Sequence, residues 1–255
     1  MAFSSEERKR YARHLDLPGF GAHAQERLRA GRAMVVGCGG LGSPALYYLA
    51  AAGVGLLGLV DSDKVDISNL QRQILHATPD IGRPKVDSAV ARLRALNPHV
   101  RLSAHEEHLT ADNARELFAP YDVVLDCTDN FAAKYLINDV CVALKKPFIH
   151  ASISGFCGQL LTVLPGKSAC LRCLFPAPPP LAAPEASPSA GPLGTIPGVL
   201  GSLQAVEAIK FLAGIGAQLT DVLLTYDGLE VEFRPIHAKR NPDCPACGAG
   251  AKPKE

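Results

Sequence analysis

Gly37-Cys38-Gly39-Gly40-Leu41-Gly42 is a glycine-rich turn, and Asp61, Asn69, Arg72, Lys85 and Asp129 follow it along the chain. A turn that only holds a dinucleotide needs its glycines and one ribose-binding acid. Two cations and a later carboxylate go beyond that need. In-line displacement at a triphosphate calls for them, with positive charge on the phosphates and an oxygen ligand for magnesium. A G-x-G-x-x-G match alone is weak, because ligand-free tight turns share it, so the downstream charges carry the inference toward adenylation chemistry.

A second constellation lies in the other half. Cys170-x-x-Cys173 and Cys244-x-x-Cys247 are two knuckles separated by 70 residues. Each offers two thiolates to a tetrahedral ion, so a structural zinc site is expected, stapling the C-terminal segment to the chain after Leu164. The alternative is two local redox pairs, but neither has the βαβ context of a thioredoxin-type motif. Cys38, Cys127, Cys141 and Cys157 are single and are expected to be buried packing residues.

The elements around these residues follow from periodicity. Two short helices are expected in the first thirty residues, then a buried strand at Ala33–Val36, a helix from Pro44 to Ala52 ended by Gly53, and a strand at Leu56–Val60 with Asp61 at its carboxyl end. The polar connection from Asp63 to Gly82 is too long for an idle turn. A helix from Pro84 to Leu96 should bury Val86, Val90, Leu93 and Leu96. Further strands are expected near Val100–Leu102, Asp122–Leu125, Phe148–His150 and Gln159–Leu164, and helices at Thr110–Phe118 and from Phe131 to about Leu144. Asp126 and Asp129 then sit at a strand's carboxyl end, where open parallel sheets place their ligand contacts, and one of the two could instead cap the following helix. Pro176 to Pro197 holds eight prolines and reads as an extended loop. A helix over Gly198–Leu212, with Val199, Leu203, Val206 and Ile209 in phase, and a hairpin around Asp227-Gly228 complete the chain.

This order is that of an α/β, Rossmann-like nucleotide-binding sheet with helices on both faces. It is expected as one domain over 1–255: N-terminal helices in 1–31, the nucleotide-binding core in 32–165, and the zinc knuckles, crossover loop, helix and C-terminal β extension in 166–255.

The runs GCGGLGSP, VDSDKVDISNLQRQIL and LDCTDN, the segment Gly82-Arg83-Pro84-Lys85-Val86 and the late run GSLQAVEAIK resemble the MoeB/ThiF family from about Arg10 to Cys247. The resemblance implies an ATP-dependent adenylyltransferase acting on the C-terminal Gly-Gly carboxylate of a ubiquitin-like sulfur-carrier protein. Pyrophosphate is released and an acyl-adenylate remains for sulfur transfer. It further implies that Asp61 takes the ribose hydroxyls, that Gly37, Gly39, Gly40 and Gly42 shape the phosphate turn, that Asn69, Arg72 and Lys85 grip the triphosphate, and that Asp129 holds magnesium. Arg13 matches a family arginine that reaches into the other subunit, which implies a homodimer. Cofactors are thus ATP, Mg2+ and Zn2+.

The chain departs from its relatives in the crossover loop, where many carry a cysteine. None occurs from Leu174 to Asp243, and Ser187 aligns there. A serine hydroxyl without a base is a poor nucleophile, so a covalent carrier intermediate is not expected. Only eight residues follow Cys247, so a separate persulfide donor is expected to supply the sulfur. The proline-rich loop is expected to cover the carrier tail.

Bulk properties agree with a protein or small-molecule partner. The 255 residues carry a formal charge of +1 without blocks of like charge, which gives nucleic acid or an anionic membrane little to attract. No signal-like N-terminus and no long uninterrupted apolar run is present, and a cytoplasmic location is expected. Two other functions fit parts of the pattern: a nicotinamide-dependent Rossmann oxidoreductase, and an inactive module that binds a ubiquitin-like tail.

Overall fold

The computed structural model describes residues 3–179 and 191–250. Four apolar runs form strands buried on both faces: β1 (Arg32–Val36), β2 (Leu56–Val60), β4 (Val123–Asp126) and β5 (Phe148–Ser154). Continuous Val, Leu and Ile content is what a parallel sheet covered on both sides requires. With the edge strand β3 (Arg101–His105) and the antiparallel β6 (Cys157–Val163), β7 (Val222–Asp227) and β8 (Glu232–His237), they make one sheet in the order β3-β2-β1-β4-β5-β6-β7-β8.

Register fixes the site. Val36 pairs with Val60 on one side and Asp126 on the other, and Asp126 pairs with His150. The carboxyl ends of β1, β2 and β4 are therefore level, and the turns leaving them open on the same sheet edge. Chain order reverses between β1 and β4, the switch point at which open α/β sheets form a crevice.

Successive strand residues feed opposite cores. Ala33 and Val35 pack with α4 (Gly42–Ala52), α5 (Lys85–Leu96) and α9 (Thr195–Ala213). Met34 and Val36 pack with α6 (Ala111–Phe118) and α7 (Phe131–Ala143). Thr110 caps α6 as its sequence position implies, its hydroxyl accepting from Asn113 N at 3.3 Å.

Several sequence expectations need correction. Three helices precede β1, not two: α1 (Ser5–Arg10), α2 (Ala12–Leu15) and α3 (Gly21–Ala30), because Tyr11 leaves helical geometry between the first pair. In α5, Leu96 is exposed at the last turn, and Ser88 and Ala89 join the buried stripe. Helix α9 starts at Thr195, with Pro197 in the first turn where a missing N–H is harmless. Its buried face runs through Leu200, Gly201, Gln204, Ala205, Ala208 and Leu212, while Val206 is 49% exposed. Close approach decided this: a Cβ at Gly201 would collide with the Leu41 carbonyl oxygen, so the small residues face inward. By length and composition α9 could cross a membrane, yet it packs into the sheet with Gln204 and Glu207 buried against protein partners. The hairpin around Asp227-Gly228 is present, but its second strand begins only at Glu232, because Val231 takes a positive φ of 54° in the turn. The proline-rich stretch is described only up to Pro179 and again from Gly191, so Ser187 and most of the proposed tail cover lie outside the described residues.

Candidate active site

The glycine turn between β1 and α4 holds its shape by close backbone approach. Gly37 has φ +97°, and a Cβ there would stand 2.7 Å from the Cys127 carbonyl oxygen. A Cβ at Gly42 would collide with the Gly37 carbonyl oxygen, which places Gly42 beneath the turn as a packing residue. The N–H groups of Gly39 and Gly40 find no acceptor among the described residues. They stand at the N-terminus of the 11-residue α4, an arrangement that favours phosphate.

One acid and a histidine fix this turn. Asp61 accepts from Cys38 N at 2.7 Å and from Asp63 N at 2.9 Å, joining the ends of β1 and β2 while other carboxylate lone pairs remain available. His76, buried in the polar connection, contacts the Cys38 carbonyl with Nε2 at 2.9 Å and the Ser88 hydroxyl with Nδ1 at 2.9 Å. Burial lowers its pKa. A neutral ring must then donate from Nε2 to the carbonyl and accept from Ser88 at Nδ1.

The glycine turn and Asp61 edge a cavity of about 650 Å³ at the switch point. Gly37, Gly39, Gly40, Asp61, Arg72, Lys85 and Asp129 all line it. Lys85, whose side chain is 6% exposed, pairs with Asp63 at 2.7 Å. Arg72 donates to the Ser68 carbonyl at 3.1 Å. Asp129 is exposed and accepts a single long contact of 3.5 Å from the Asn130 amide, so its carboxylate is open to a hard cation. Asn69 and Arg13 are not on the cavity wall. The Asn69 side chain accepts from Asp66 N at 3.2 Å, and Arg13 is exposed on α2.

Sequence reasoning missed several residues that build this wall. Gln73 lines it with a buried amide whose Oε1 lacks a partner among the described residues. Below the Asp129 turn, buried Asp126 accepts from His150 Nδ1 at 2.7 Å, from Thr128 Oγ1 at 2.6 Å, and from Lys134 at 3.3 and 3.4 Å. Burial alone would raise the Asp126 pKa, but the Lys134 charge and these hydrogen bonds prevail and hold it at about 2. From α9, Gln204 donates to the carbonyls of Asp126 at 2.8 Å and Ile149 at 3.0 Å. Cys127 also lines the cavity, but burial pushes its thiol up and leaves no thiolate nucleophile.

The four knuckle cysteines converge away from this cavity, at the end of the α6 and α7 core. Their sulfurs lie within 4.8 Å of one another, with separations of 3.8 Å for Cys170 to Cys173, 3.6 Å for Cys170 to Cys244 and 3.4 Å for Cys173 to Cys247. A tetrahedron with Zn–S of about 2.3 Å has edges of about 3.8 Å, so the set fits zinc. Burial pushes the Cys170 thiol up, so a metal held there would displace its proton. Of the four single cysteines, Cys38, Cys127 and Cys141 are buried as expected, whereas Cys157 is exposed at the start of β6.

A glycine turn at the switch point of an open parallel sheet, with cations and a carboxylate around one cavity, defines a Rossmann-like nucleotide-binding fold. The chain belongs to the ThiF family, whose model matches residues 11–246. It is 49% identical over 253 residues to a sulfur carrier protein adenylyltransferase of Thermus thermophilus, covering 97% of this chain and 93% of the relative. It is 44% identical to the SAMP-activating enzyme E1 of Haloferax volcanii, covering 98% and 92%. The Bos taurus adenylyltransferase and sulfurtransferase MOCS3 is 48% identical over 97% of this chain, which spans only 54% of that longer protein. Among solved structures, E. coli MccB with MccA-N7isoASN shares the fold with a TM-score of 0.84 at 23% identity, over 96% of this chain and 75% of that one.

Proposed function

We propose that the chain adenylates the C-terminal carboxylate of a ubiquitin-like sulfur-carrier protein ending in Gly-Gly, with ATP and Mg2+, and that it works as a cytoplasmic homodimer. One observation carries the reading: Arg72, Lys85 and Asp129, dispersed along the sequence, line a single cavity with the glycine turn. Support comes from a relative named a sulfur carrier protein adenylyltransferase, from another named a SAMP-activating enzyme E1, and from MccB, whose fold this chain shares and which has been crystallised with ATP.

The chemistry begins with charge. A carboxylate approaching a polyphosphate is repelled, so the site must neutralise the phosphates and hold both reactants in line. The N–H groups of Gly39 and Gly40 and the α4 dipole attract phosphate oxygens, and Arg72 and Lys85 supply full positive charge. Lys85 is held by Asp63, which keeps its ammonium at the cavity wall before substrate arrives. The lone pairs of Asp61 not used by Cys38 and Asp63 suit the ribose hydroxyls. A carboxylate oxygen of the carrier then bonds to the α-phosphorus as the bond to the bridging oxygen breaks. Pyrophosphate leaves with that electron pair, and the acyl-adenylate remains. Magnesium bound at Asp129 would stabilise charge building on the phosphate oxygens. Ser152, Ile153 and Ser154 line the wall provided by β5, beside Gly191 and Pro192, and form an entry for a thin Gly-Gly tail. A separate persulfide donor then acts on the adenylate.

A nicotinamide oxidoreductase would leave Arg72, Lys85 and Asp129 without work. ATP–pyrophosphate exchange against Gly-Gly carriers, with a carrier lacking its last two residues as control, tests the proposal. Carrier-dependent exchange is the expected result, and NAD binding with no exchange would overturn it.

A further inference from the structure

Lys134 lies in the first turns of α7, lines the cavity, and yet its side chain is only 4% exposed. An ammonium has three N–H donors. One goes to the Thr128 carbonyl at 2.7 Å and one to the Ala151 carbonyl at 2.7 Å. The third is shared between the two Asp126 carboxylate oxygens at 3.3 and 3.4 Å. No donor remains for a phosphate, so this cation does not serve as a phosphate ligand beside Arg72 and Lys85. Its contacts span two cavity walls: Thr128 precedes Asp129 in the turn after β4, and Ala151 precedes the Ser152–Ser154 end of β5. The β4–β5 ladder stops at the Asp126 and His150 pair, so beyond it no strand pairing sets the distance between the two chains. Lys134 bridges them just past the last rung.

We propose that Lys134 is a positioning residue, which fixes the Asp129 turn against the β5 strand end and so sets the gap between the metal-holding carboxylate and the entering tail. The inference rests on the adenylation reading for the reaction it serves. Asp126 and His150 form the anchor beneath it, with Asp126 accepting from both.

The test compares wild type with Lys134→Met, which keeps the stem and removes the three donors. Because that change strands a buried Asp126 charge, the Asp126→Asn/Lys134→Met double variant is made alongside it, with no charge left unpaired. Two measurements are taken on each: calorimetric binding of a non-hydrolysable ATP analogue with and without Mg2+, and ATP–pyrophosphate exchange. Without Mg2+ the analogue should bind within about twofold of wild type, since the glycine turn, Arg72 and Lys85 are untouched. The tightening that Mg2+ brings should be lost, and kcat should fall about 100-fold, the scale of a misplacement of about 1 Å. Mg2+ enhancement and kcat at wild-type levels in folded protein, with only a lower melting temperature, would overturn the proposal. Equal loss of affinity with and without Mg2+ would also overturn it, by making Lys134 a direct phosphate ligand. Wild type that binds the analogue but exchanges with no carrier defeats the adenylation reading instead, and the Mg2+ comparison still decides Lys134.

Discussion

At the residue scale, the proposed site separates groups placed to meet substrate from groups that hold them. Arg72, Lys85 and Asp129 face the cavity, whereas His76 and Lys134 direct their hydrogen bonds at backbone carbonyls and at the side chains of Ser88 and Asp126; Asp61 lines the cavity and also holds the backbone of Cys38 and Asp63. Truncating a substrate-facing group should leave folding alone and remove stabilisation that exists only in the transition state. Arg72→Ala, Lys85→Ala and Asp129→Ala are each expected to lower carrier-dependent exchange by roughly 3 to 4 kcal/mol of barrier, about 100- to 1,000-fold, with native-like circular dichroism. Near-normal exchange by a folded variant would remove that residue from the mechanism. Lys85 carries one distinction: Asp63 must share it with an incoming phosphate, so Lys85→Ala also leaves the exposed Asp63 carboxylate at the phosphate entrance.

At the element scale, strand ends are readable from sequence and buried polar groups are not. Asp61 and Asp129 can be placed because each follows a short apolar run that can only be a buried strand. Arg72 and Lys85 need the family motif, since most lysines and arginines are solvated. Lys134, His76, Gln73 and Gln204 act through burial, and nothing in their neighbouring residues announces it. The inward face of α9 departs from expectation for a related reason: Val199, Leu203 and Ile209 pack against the core only partly buried and Val206 is exposed, whereas the close approach at Gly201 brings Gly201, Ala205 and Ala208 fully inward. The buried polar groups make stability depend on pH in two windows. His76 and His150 are held below the ordinary value of 6.5 by burial, so the unfolded chain binds protons that the native chain refuses. Stability should therefore begin to fall below about pH 6.5. Asp126, at about 2 against an ordinary 3.8, adds about 2 kcal/mol that is fully present above about pH 5 and is lost as pH falls through 3.8 toward 2. Melting temperatures from pH 8 to pH 2 check both windows. A flat profile down to pH 5 would show that the two histidines are not buried and neutral.

At the scale of the whole molecule, two links lie outside the nucleotide cavity. The first is the cysteine cluster, which joins α8 (Leu171–Leu174) to the segment after β8. Because metal binding to such a set is folding free energy for the segments it joins, Cys244→Ser should lower zinc content and melting temperature together, and unchanged metal stoichiometry would argue against a four-thiolate site. The second link is Arg13. It is exposed on α2 and does not line its own chain's cavity, so a catalytic role for it requires another copy. That requirement has a stoichiometric signature. Arg13→Ala and Asp129→Ala should each be inactive alone, one lacking the donated arginine and the other the metal ligand. Mixed so that subunits exchange, about half of the dimers are heterodimers, and each of these has one site with both residues intact, giving about a quarter of wild-type exchange. If both residues served the same chain's cavity, no mixture would recover activity, because every site would carry one defect. Measuring exchange against mixing ratio separates the two cases, since recovery from subunit sharing peaks at equal amounts and vanishes at either pure variant.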